Sequence, residues 1–166
     1  MISESIMGFM AKLDDEEKDD RISETDRKEV RVLGISILEI LELTIVGYDT
    51  KNVQLSGTIQ LYREEVTRMS EIVKTRHYKR THAESGRLTS TTIHADICYA
   101  QERLIDYCDI VADSINKYNR TVKGKTASLP GNTANTQQRI HELFSGKYEM
   151  LNIREDEDGR MIDMSE

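Results

Sequence analysis

Apolar residues recur along this chain in three long blocks at helical spacing. The first block reads Val30, Leu33, Ile37, Ile40/Leu41, Thr44 and Tyr48. That is the i, i+3, i+4 pattern of one buried helix face. Ile35, Leu38, Leu43 and Val46 fall beside or opposite the stripe, which predicts a helix buried on more than one side. The many β-branched residues suit a strand, but the length and the 3–4 spacing favour helix. Ser23 followed by Asp26 resembles a capping box and marks the start. The second block, Leu55, Ile59, Tyr62, Val66, Met69 and Val73, keeps the alternating 4-3 rhythm of left-handed bundle packing. It predicts a helix running to about Ala83. The third block repeats the rhythm at Ile93, Ile97, Ala100, Leu104, Tyr107/Cys108, Val111, Ile115 and Tyr118. Thr89, Ser90, Thr91 and Thr92 supply its capping side chain.

Turn residues separate the blocks. Gly47 to Asn52 reads as a turn, and Ser85-Gly86 breaks the chain again. Three long helices joined by short turns predict an all-α fold, an antiparallel three-helix bundle. Its span is 21–120, preceded by an N-terminal helical segment and acidic linker over 1–20. Within that segment Ile2, Ile6, Phe9, Met10 and Leu13 have helical spacing, with Gly8 weakening it. A packed terminal helix is the expectation there, because one Glu and one Lys give no attraction to an anionic membrane. The remaining 121–166 hold a linker, a short helix and an acidic tail. Leu129-Pro130-Gly131-Asn132 has the type II turn pattern. The short helix is expected from Ala134 to about Phe144, and the tail from Arg154 onward is expected to be disordered.

Charge sharpens this division. The chain of 166 residues carries a net charge of −7. Most of the acid lies in two runs, Asp14 to Asp20 and Arg154 to Glu166, and the body between them is close to neutral. Such runs are usually solvated segments and not binding sites. No stretch approaches the length of a membrane span, and the first thirteen residues lack the basic start and apolar run of a secretory signal. The two cysteines, Cys98 and Cys108, fall on one predicted helix, about 15 Å apart along its axis. That is too far for a disulfide. Two reduced, buried thiols suit a cytoplasmic compartment.

Candidate chemistry is sparse. Glu102 and Asp106 lie one turn apart and face away from the core stripe at Leu104. With Asp109 and Asp113 they make an acidic face that suits a divalent or transition metal ion, the candidate cofactor. Two carboxylates leave most of an octahedral shell to water, so such a site would be weak in a monomer. His94, Cys98, Glu102 and Asp106 are spaced by four, but that row wraps about 120° around a helix and cannot converge on one ion. Cys98 is therefore expected to be packed, and His94 to be at the surface or hydrogen-bonded. The end of the second helix is basic. Lys74, Arg76, His77, Lys79 and Arg80 suit the negative end of the helix dipole and are the candidate anion- or partner-contact residues. No nucleic-acid-reading motif accompanies them, and no phosphate loop, nucleophile elbow or clustered zinc motif occurs. Binding, not catalysis, is the expectation, with no nucleic-acid partner.

The segment from Arg76 to Ala112 resembles the second half of a PhoU-like domain. His77-x-x-Arg80 resembles the basic helix end of that family. Glu102-Arg103-Leu104-Ile105-Asp106-Tyr107-Cys108-Asp109-Ile110-Val111-Ala112 resembles its E-R-I-x-D-H-x-x-N-I-A signature. The likeness is greatest to the cytosolic C-terminal PhoU-like domain of bacterial sodium/phosphate cotransporter-family proteins. It extends over about Asp20 to Tyr118, including Asp20-Arg21-Ile22-Ser23-Glu24-Thr25 and Lys28-Glu29-Val30-Arg31-x-Leu33-Gly34. The family has a second E-x-x-x-D on the second helix. Counting back from His77, those positions are Arg63 and Thr67 here, and both acids are lost. The signature His is Tyr107, its Asn is Asp109, and an early small residue falls at Thr91.

The resemblance implies a three-helix bundle and a regulatory role in phosphate transport or homeostasis. The implied partner is a phosphate transporter or phosphate-signalling protein, which would place the chain at the inner face of the membrane. Only Glu102 and Asp106 carry over as metal ligands. A full PhoU protein has two such bundles in tandem. One bundle here, with surplus apolar residues at Ile35, Leu38, Leu43 and Val46, implies a homodimer unless a terminal segment folds back over that row.

Overall fold

The computed structural model describes residues 11, 23–83, 88–123, 134–156 and 160–164. The expected helix over 1–13 (Ala11 apart), the acidic run 14–20, the Ser85-Gly86 break and the Pro130-Gly131 turn lie outside them. So do the side chains of the expected caps, 89–92. Three long helices are α1 (Glu24–Thr50), α2 (Val53–Ala83) and α3 (Leu88–Lys123), followed by α4 (Ala134–Met150) and strands β1 (Ile153–Glu155) and β2 (Met161–Asp163). The first three pack on one another as the all-α bundle that the spacing predicts. Among the described residues, no helix is long and apolar enough to cross a membrane.

Local chemistry sets the helix ends. Ser23 is the N-cap of α1: its backbone is extended and its hydroxyl accepts from the Asp26 N–H at 3.1 Å. Lys51 closes α1 in the left-handed conformation at φ 51°, and the Asn52 N–H bonds the Gly47 carbonyl. Asn52 then accepts from the Gln54 N–H at 2.9 Å and starts α2. The connection is thus shorter than the six-residue turn expected from composition. Gly47 belongs to α1, and what its missing side chain supplies is space. A Cβ there would meet Ile59 at 3.3 Å and Ile115 at 3.4 Å, so glycine lets the three helices close together at this end.

The predicted stripes form the core. Val30, Leu33, Ile37, Ile40 and Leu41 meet Ile59, Tyr62, Val66, Met69 and Val73, together with Ile97, Leu104, Cys108 and Ala112. Each Val, Leu, Ile or Met among them contributes about 1.5–3 kcal/mol by leaving water. Tyr48 and Tyr118, at the ends of their stripes, are exposed instead.

Helix α4 is longer than the expected Ala134–Phe144 and packs mainly on α2. Ile140, Phe144 and Tyr148 are buried on its inner face. Phe144 meets the Tyr62 ring edge-on at 4.9 Å. Lys147 is buried among them, and its ammonium donates to Tyr62 Oη at 2.9 Å and Ser36 Oγ at 3.1 Å and pairs with Glu39. This helix does not cover the surplus row of α1: Ile35, Leu38 and Val46 stay exposed, while Leu43 is partly buried against the core.

The tail differs from the expected disorder. Ile153–Glu155 pairs antiparallel with Met161–Asp163, with Arg154 opposite Ile162. Acidic composition conceals two buried anchors, Leu151 and Ile153, which seat the hairpin beside α4. Asn152, at φ 55°, makes the left-handed corner between helix and strand.

Candidate functional site: a buried charge cluster with two stacked histidines

The 4-3 rhythm of α2 does not stop at Val73. Its next positions are Arg76 and Arg80, and on α1 the stripe runs back from Val30 to Glu29 and Asp26. Charged residues therefore occupy core-facing positions at one end of the bundle. There they neutralise one another. Arg80 donates to both Asp26 and Glu29. Arg76 Nε lies 3.2 Å from Glu29 and 2.9 Å from Asp163 on β2, and its Nη1 donates to the Leu151 carbonyl at 2.6 Å. The cluster joins α1, α2 and the tail hairpin, and His94 brings in α3.

His77 and His94 are each eight residues from the Ser85-Gly86 pair, on opposite sides. In a helical hairpin, equal counts from the turn place residues level. Their rings stack in parallel, with centroids 3.8 Å apart and 3° between planes, and both residues are buried. His77 Nδ1 lies 2.9 Å from Asp26 Oδ1, and His94 Nδ1 lies 3.6 Å from the Cys98 sulfur. The Nε2 atoms of both rings are buried without a hydrogen-bond partner. One nitrogen from each ring and one Asp26 oxygen lie within 4.8 Å of one another.

The protonation states follow from these partners. Burial alone would raise the Asp26 pKa, but hydrogen bonds from His77, Ser23 and Arg80, with the Arg80 charge, hold it well below the carboxylate range. Ionised Asp26 can only accept, so the His77 proton belongs on Nδ1. Burial, reinforced by the neighbouring His77, pushes His94 down to about 4, and its ring is neutral at pH 7. Burial raises the Glu29 carboxyl despite its two arginine partners.

The basic helix end is therefore largely turned inward. Of the five candidate contact residues, Arg76 and His77 are buried and Arg80 is partly covered, all three bound to carboxylates of this chain. Lys74 pairs with Glu71 and Glu102, and only Lys79 of the five is exposed. The free cations expected of an anion site are mostly engaged.

The acidic pair lies elsewhere, on the outer side of the α2–α3 seam. Glu102 and Asp106 line a cavity of about 240 Å³ with Arg63, Thr67, Ser70 and Ile105. Lys74 Nζ sits 2.5 Å from Glu102, and Arg63 pairs with Asp109 at 3.6 Å. A lysine of the chain thus answers Glu102, and an arginine answers the neighbouring Asp109.

From sequence, Asp26 reads as a cap residue, His77 as part of a basic helix end, and His94 as a surface or hydrogen-bonded histidine. Two signals pointed to the cluster: the continuation of both stripes into charged residues, and the equal count of the histidines from the break. Comparison of the chain with family models, curated proteins and solved structures returns no match.

Proposed function

We propose that this chain is a PhoU-like regulatory domain acting in phosphate transport or phosphate homeostasis, by binding a protein partner and not by catalysis. The observation that carries the reading is the cavity on the α2–α3 seam. Arg63 and Thr67, the positions that correspond to the family's second-helix motif, line the same cavity as Glu102 and Asp106. The two helices bring those four positions to one place, as the resemblance leads one to expect, and this supports the reading. Arg63 and Lys74 supply there the positive charge that a metal supplies to an all-acid site. The partner in this reading is a phosphate transporter or phosphate-signalling protein at the inner face of the membrane. The exposed Ile35, Leu38 and Val46 on α1 support association of two copies as a homodimer.

The test is phosphate uptake in cells lacking the protein, measured at low and high external phosphate. The reading expects uptake to lose its response to phosphate and the wild-type chain to restore it. An unchanged response rejects it. A second reading, a helical adaptor unrelated to phosphate, is favoured by one feature. An apolar groove of about 390 Å³ lies between α1 and α3, lined by residues including Leu41, Ile45, Tyr48, Tyr107 and Val111.

A further inference from the structure

We propose that Asp26, His77 and His94 form a buried site for one divalent transition-metal ion of the zinc class. The inference is independent of the phosphate reading, and it uses residues distinct from the acidic pair on α3.

Two imidazoles and a carboxylate are a donor set suited to zinc and related borderline ions. Three observations bring the set together. The donor atoms of the three residues lie within 4.8 Å of one another, from three different helices. Each ring has its Nδ1 already engaged, His77 with Asp26 and His94 with the Cys98 sulfur. Each ring therefore has Nε2 left over, and both of these nitrogens are buried without a partner. A buried polar atom with no partner costs about 1–3 kcal/mol, so one on each of two stacked rings is a reason to look for a ligand. An ion at His77 Nε2 lies across the ring from Asp26, so Asp26 ligates it only once its hydrogen bond to His77 Nδ1 has opened and the ring has turned. Ser23 and Arg80 in turn hold the Asp26 carboxylate.

The surrounding charge permits a cation. Arg76 and Arg80 are balanced by Asp26 and Glu29, and Asp163 adds a further negative charge beside Arg76. The stacked rings set one requirement. An ion lies in the plane of each imidazole that binds it, so two parallel rings cannot share it. At least one ring must rotate out of the stack on binding.

The full chain, stripped with a chelator and dialysed under reducing conditions, is titrated with Zn²⁺ against a chromophoric competitor. The expected result is one ion per chain, with His77→Gln and His94→Gln each weakening binding about tenfold or more. Circular dichroism of both variants checks that the helices are kept. A second measurement needs no substitution. In long-range ¹H–¹⁵N spectra of the unmutated chain, Zn²⁺ is expected to shift the ring nitrogens of His77 and His94 and leave those of His82 and His141 in place. Absence of 1:1 binding, full-strength binding in both histidine variants, or shifts confined to His82 and His141 would overturn the proposal. Loss of the ion in a Glu102→Gln, Asp106→Asn double variant with the two histidine signals unmoved would also overturn it, by placing the ion on the acidic face.

Discussion

Replacing Arg76 with methionine removes a charged side chain that ties the bundle to its C-terminal hairpin. Methionine keeps most of the stem's apolar packing, so the change isolates the guanidinium. The interactions lost include the pair with Glu29, the pair with Asp163, and the bond to the Leu151 carbonyl. Glu29 is about 1% exposed and keeps Arg80 as a partner. Breaking a buried ion pair costs about 3–5 kcal/mol when the remaining charge is uncompensated, and Arg80 moves the expectation to the lower end, about 3 kcal/mol. Urea denaturation of wild type and variant measures it as a shift in midpoint at constant slope. Hydrogen exchange adds a spatial prediction: amides from 151 to 163 lose protection more than those in the middle of α1–α3. The double variant Arg76→Met, Glu29→Gln should recover part of the loss, because neutral Gln needs no counter-charge. A cost below about 1 kcal/mol for Arg76→Met, within the range of an exposed pair, would show that this cluster is solvated and refute the reasoning.

Three further outcomes follow from the same structure. The His94 pKa is depressed from 6.5 to about 4, so the unfolded chain binds the extra proton first and stability falls as pH drops through that window. At 1.36 kcal/mol per pKa unit the His94 contribution is about 3 kcal/mol. Denaturation in EDTA should show His94→Gln with a flatter acid limb between pH 6.5 and 4, while loss of the depressed Asp26 carboxylate acts only below that range and Glu29, whose pKa is raised, acts with the opposite sign. Gln101 is fully buried with neither side-chain polar atom bonded, so Gln101→Met should raise stability by about 1–2 kcal/mol; a lower melting temperature would show that the amide is satisfied. Ser23→Ala removes both the N-cap bond and the bond to the Asp26 carboxylate, and a loss of about 1–2 kcal/mol is expected in the same assay.

Much of the fold was legible because the apolar rhythm in α1, α2 and α3 was regular and the turn residues between them were few. Ile59, Tyr62, Val66, Met69 and Val73 are all buried, as their spacing requires. What was not legible depended on contacts across the chain. Gly47 reads locally as a turn residue, and only Ile59 and Ile115 reveal that it is a close-packing position inside α1. The tail reads as acidic coil, since the residue that holds Asp163 is Arg76, far away in sequence. The site was hidden by a different limit. Asp26 has a complete local explanation as a capping partner, and that explanation is correct as far as it goes. Its second role is set by His77 and Arg80, 51 and 54 residues further on.

The polar residues of the α2–α3 seam explain why the bundle carries such groups in buried positions at all. Apolar contacts that follow a 4-3 rhythm repeat every seven residues, so sliding α2 against α3 by seven would again set apolar residues against apolar ones. Those contacts distinguish the two registers poorly. The polar positions follow the same interval: Ser56, Arg63, Ser70 and His77 on α2, and His94, Gln101 and Cys108 on α3. Their pairings are specific to one register. Ser56 donates to Asn116 at 2.7 Å, Arg63 pairs with Asp109, and His77 stacks on His94. A slip of seven would carry His77 toward Gln101 and remove its stack. It would also draw Arg76 and Arg80 away from Asp26 and Glu29 and leave buried charges uncompensated, which costs several kcal/mol per ion. The register is thus set by the polar groups and not by the apolar stripes. In this chain the same groups place a nitrogen of each of two imidazoles and a carboxylate oxygen within 4.8 Å of one another, where three helices meet.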